Sequence, residues 1–87
     1  MNTETERYLR VARHAATLTR LARRIEDLRR SSAYGRGFHL RAAWTAYDQA
    51  LILAAAELGL EVPTTSQLGS TDRLGLEAEL ALAGLRW

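Results

Sequence analysis

The chain has 87 residues, 47% apolar and 25% charged, with a formal net charge of +2 and no cysteine. That length holds a single domain, residues 1–87. The missing thiols exclude disulfides and thiolate metal centres, and His14 and His39 are too few for a histidine-only cage. No metal or cofactor is therefore expected.

One proline and little β-branched content argue against sheets. The most apolar stretch, residues 42–60, is interrupted by Asp48, Gln49 and Glu57, so no membrane span is expected. The polar, acidic start lacks a signal-peptide pattern, and a cytoplasmic protein is expected. Every basic residue is arginine, and their distribution is uneven. Residues 1–41 carry ten arginines against Glu4, Glu6, Glu26 and Asp27, a net +6. Residues 42–87 carry Arg73 and Arg86 against six acids, a net −4. Such asymmetry is used inside a fold, between two copies, or on an anionic partner.

A first helix is predicted from Thr3 or Thr5 to about Arg30, with Glu4 and Glu6 in the first turn and Arg29 and Arg30 in the last, as the helix dipole favours. Tyr8, Val11, Ala15, Leu18, Ala22 and Ile25 step by threes and fours and form its apolar stripe. Glu6 with Arg10, and Glu26 with Arg30, are spaced for ion pairs along the helix.

Residues 31–38, with two serines and two glycines, break the helix and reverse the chain into a helical hairpin. Tyr34 and Phe38 are expected to plug the end of the core there, and Gly35 and Gly37 to meet a need for positive φ or close backbone approach.

The second helix is predicted over residues 39–58 and organises the rest. Leu40, Trp44, Tyr47, Leu51, Ala54 and Leu58 form one seam, and Ala43, Ala46, Ala50 and Leu53 a second beside it. Gly59 marks its end and Pro63 forbids easy continuation. Residues 64–69 read as a surface connection. A third, shorter helix follows to about Ala83, capped by Ser70 or Thr71. Gly75 inside it suggests close packing on the second helix or fraying, and Gly84 terminates it. Trp87 is expected to dock.

The fold class expected is therefore all-α: a three-helix antiparallel bundle, made of a long helical hairpin and a short C-terminal helix. The third helix is too short to cover the hairpin, which predicts a homodimer formed through a helical core, with a compact monomeric bundle as the alternative. Trp44, Tyr47, Leu51, Ile52 and Ala55 are its expected interaction core. The opposite charges of the two chain halves suit a pairing in which the first helix crosses the partner's C-terminal half.

The functional reading is a non-enzymatic structural or protein-interaction module. The alternative is nucleic-acid or anion contact through Arg13, Arg20 and Arg24 of the first helix and Tyr34, Arg36, Phe38, His39 and Arg41 of the turn, because guanidinium groups fork onto phosphates and aromatic rings stack on bases. Asp48 and Glu57, nine residues apart, point to opposite sides of one helix and read as surface groups; Arg41 is a conceivable partner for Asp48. Arg7 and His14 share a face, a pattern that would serve a small helical ribonuclease. There is no Gly-rich phosphate loop, paired-histidine zinc motif or cysteine nucleophile to support an enzyme.

Overall fold

The computed structural model describes residues 3–31, 35–64 and 68–87. These form three α-helices and no strand: α1 (Thr3–Arg30), α2 (Arg36–Glu57) and α3 (Ser70–Leu82). The all-α hairpin plus short third helix is as the periodicity predicts. Among the described residues no helix is long and apolar enough to cross a membrane.

α2 lies in the middle. α1 packs along one of its flanks and α3 along another, while α1 and α3 make no close backbone approach to each other. The reason is legible in α2's composition. Ala43, Ala50, Ala54 and Ala55 are all buried and, being small, let two neighbours come close. Leu18 and Ile25 of α1, Tyr47 and Leu51 of α2, and Leu76 and Leu80 of α3 fill the space between. The segment before α3 is not all surface as expected, since Leu68 is buried in this core.

α1 has 28 residues and α2 has 22, so at about 1.5 Å per residue α1 is longer by about 9 Å. The last residue of α2, Glu57, meets Arg10 and His14, and the first turns of α1 therefore overhang. That overhang explains why Tyr8, the expected start of the apolar stripe, is 71% exposed.

The helix ends follow local rules. Beyond α2, Gly59 (φ +77°) donates to the Ala56 carbonyl at 3.1 Å, and Leu60 donates to Ala55 at 2.9 Å. Beyond α3, Gly84 (φ +104°) and Leu85 make the same two bonds to Ala81 and Leu80, both at 3.0 Å. This left-handed glycine closure satisfies carbonyls that would otherwise lack donors, and it turns Leu85 back into the core beside Leu80.

Several local expectations are corrected. α2 starts at Arg36, three residues early, with Gly35 at its N-cap at φ +83°. Gly37 is then an ordinary residue of the helix's first turn. That early start rotates Phe38 outward, and instead of plugging the core it is 67% exposed; Tyr34 lies outside the described residues. Gly69, not Ser70 or Thr71, caps α3, in extended conformation and without a side-chain bond. A Cβ added at Gly75 meets nothing within 4 Å, so no close packing requires that glycine.

Candidate functional site

Two polar clusters and one open surface stand out, and each is positioned by α2. The first cluster joins α2 to α3. Asp48 is buried, 2% exposed, although it reads as a surface residue in the sequence. Trp44, Asp48, Leu51 and Ala55 step by four, three and four, so Asp48 occupies a seam position and faces α3.

The carboxylate takes up its hydrogen bonds there. Arg73 Nε donates to Oδ1 at 2.6 Å and Arg73 Nη2 to Oδ2 at 2.9 Å, while the Leu68 backbone N–H donates to Oδ2 at 3.1 Å. Arg73 Nη2 also donates to the Leu68 carbonyl at 3.0 Å, and its guanidinium lies 4.3 Å above the Trp44 ring. This forked pair, not Arg41, is Asp48's partner. Its hydrogen bonds hold the guanidinium of Arg73 above its ordinary pKa.

Tyr47 extends the cluster. Its hydroxyl donates to Glu77 and accepts from the indole N–H of Trp87 at 3.1 Å, so the C-terminal residue is docked as expected. Burial pushes the phenol well above its ordinary range, and the Glu77 carboxylate adds to the shift. No buried side-chain polar atom among the described residues lacks a partner. The cluster behaves chemically as a clamp whose donors and acceptors are spent on one another.

The second cluster joins α2 to α1. Nε2 of His14 donates to Glu57, and Arg10 Nε pairs with the other carboxylate oxygen at 2.8 Å. Arg10 thus turns to α2 and not to Glu6, whereas the expected Glu26–Arg30 pair forms at 3.4 Å. The His14 bond, aided by the charges of His14 and Arg10, holds the Glu57 carboxyl below its ordinary range.

Clefts of about 250 and 380 Å³ flank this cluster. Arg7 and His14 share the smaller one, and Arg13, Thr17 and Leu53 line the larger. Asp48 and Glu57 do point to opposite sides of α2, one to α3 and the other to α1.

The remaining expected site residues are not drawn together. Arg13, Arg20 and Arg24 are exposed in a row along α1. Arg36 Nη1 donates to the Ser31 carbonyl at 3.1 Å, closing the end of α1. Phe38 and His39 are exposed and meet edge to face with centroids 5.7 Å apart. Arg41 borders the cleft beside Asp48, Trp44 and Arg73. No group of acids and histidines among the described residues is arranged to hold a metal.

Of the expected interaction core, Tyr47, Leu51 and Ala55 are buried in this chain's own core, and Trp44 and Ile52 are half-buried against it. The apolar side chains left open lie elsewhere, and beside Tyr8, Leu9, Phe38 and Val62 they include Leu53 of α2, 64% exposed, and Leu74 and Leu82 of α3, the latter 89% exposed.

No protein-family model, curated protein or solved structure matches the chain.

The sequence reading missed the burial of Asp48, and a signal for it was present. A carboxylate that takes a seam position between Trp44 and Leu51 must find a cation, and residues 42–87 hold just two arginines, Arg73 and Arg86.

Proposed function

We propose that the protein is a small non-enzymatic helical module whose role is protein–protein association, and that it acts as a homodimer. The observation that carries this reading is Leu53. It stands 64% exposed on the strip of α2 that neither α1 nor α3 covers. Burying a leucine of this kind contributes about 1.5–3 kcal/mol, and Phe38 and Leu82 are further apolar side chains left exposed. Two-fold pairing is the commonest way to cover such a face.

Sedimentation velocity over a wide concentration range tests the reading. A dimer that dissociates on dilution, and that Leu53→Glu abolishes while helicity is retained, supports it. A wild-type chain that remains monomeric at every concentration overturns it.

A second reading, nucleic-acid contact, is favoured by one observation. Arg13, Arg20 and Arg24 are exposed and make no ion pair with any described residue. Retardation of a mixed DNA or RNA probe at low salt, lost when the three are neutralised, is its test.

A further inference from the structure

Three arginines of α1 and two acids of α3 form no ion pair with any described residue. Arg13, Arg20 and Arg24 fall within about 40° of one another around α1. Arg13 lies beside Leu53 in the cleft between α1 and α2, which places the arginine row along one border of α2's open strip.

α3 supplies the opposite charge. Leu76, Leu80 and Arg73 face α2, and Glu77 turns to Tyr47, on the side of α2 away from Leu53. The helix period then sets Asp72 and Glu79, within about 20° of each other, on the other flank of α3, with the exposed Leu82 next to them. Neither acid forms an ion pair with a described residue. Because α2 holds α1 and α3 apart, the basic row and the acidic row cannot reach each other within one chain. Across the open face the order is therefore arginine row, apolar strip, acidic row.

We infer that the occupant of this face is a second copy, seated so that α1 of each chain lies against α3 of the other. This inference rests on the homodimer proposed above and specifies its symmetry. A two-fold axis along α2 sets the two α2 helices side by side and parallel. Each arginine row then meets the other chain's Asp72 and Glu79, while Leu53 and Leu82 are covered. A two-fold axis across α2 would instead set α1 against α1 and α3 against α3, like charge against like. Juxtaposing like charges is unfavourable and selects against that arrangement. The spacing also agrees. Arg13 and Arg20 are seven residues apart, as are Asp72 and Glu79, so each row repeats after about 10.5 Å.

The test is a charge exchange. One variant carries Arg13→Glu and Arg20→Glu, and the other Asp72→Arg and Glu79→Arg. Each alone then opposes like charges at both contacts of the dimer. Mixed together, they restore opposite charges at both contacts. Self-association of either variant is expected to weaken by about tenfold or more, and the mixture is expected to form a heterodimer of near wild-type affinity in sedimentation equilibrium. The discrimination should shrink at about 1 M salt, where screening reaches about 3 Å.

Circular dichroism checks that both variants fold. If the acidic-row variant does not fold, Glu79→Arg alone replaces it. Variants that self-associate like wild type, or that fail to pair with each other, overturn the inference. If Leu53→Glu still abolishes the dimer in that case, the homodimer stands and only its symmetry is lost. A wild-type monomer overturns both. A monomer that retards a nucleic-acid probe through Arg13 and Arg20 assigns the row to nucleic acid instead.

Discussion

Arg73 grips the buried carboxylate of Asp48 with two prongs, at 2.6 and 2.9 Å, and joins the first turn of α3 to the middle of α2. The pair is 25 residues apart in the chain, and α3 has few other polar ties to α2. Breaking a pair of this kind by removing one partner costs about 3–5 kcal/mol, because the remaining charge is left in a poor solvent. The two partners are not equivalent. Asp48 is almost wholly buried, whereas the Arg73 side chain keeps 18% of its exposure and can reach water. Arg73→Ala is therefore expected to destabilise the fold by about 3 kcal/mol or more, and Asp48→Asn by less. Urea denaturation of the two variants and of the double variant measures both costs and their coupling.

Gly75 offers a change in the opposite direction. It is helical, its φ is not positive, and a Cβ there meets no neighbour. Gly75→Ala should stabilise the protein by about 0.5–1 kcal/mol, through helix propensity and a less flexible unfolded chain. A melting temperature that falls on this substitution would show that the site is more crowded than it stands here.

The Glu57 cluster predicts a dependence on pH. Its carboxyl is held below its ordinary value of 4.5, chiefly by the His14 hydrogen bond. A depressed acid stabilises the fold above its unfolded pKa, and that contribution is lost as pH falls through the lower folded value. The stability gap between wild type and Glu57→Gln should accordingly be present at neutral pH and close as the solution is acidified below about 4.5. Denaturation midpoints at a series of pH values read it directly. A gap that does not change with pH would mean that His14 and Arg10 do not favour the ionised form.

Tyr47 makes an alkaline prediction. Burial and the Glu77 carboxylate raise its phenol well above 10.0. A raised pKa stabilises the fold below the unfolded value, and the contribution is lost as pH rises. In an ultraviolet titration the Tyr47 signal, identified by difference against Tyr47→Phe, should appear only as the protein unfolds in base. Ionisation of Tyr47 near 10 in the folded protein would remove the bond to Glu77 from consideration.

What the sequence determined by itself is local. The three-four spacing of apolar residues in α1 and α2, Gly59 and Gly84 past two helix ends, and the serine and glycine turn place all three helices, because helix formation and termination depend on residues a few positions apart. What tertiary packing decided is which groups meet. Asp48 with Arg73, Glu57 with His14 and Tyr47 with Glu77 lie 25, 43 and 30 residues apart, and no periodicity encodes those pairings. The outward turn of Phe38 and the openness of Leu53 belong to the same class. Each follows from where a neighbouring helix begins, ends and crosses, and that is set by the shape of the assembled core.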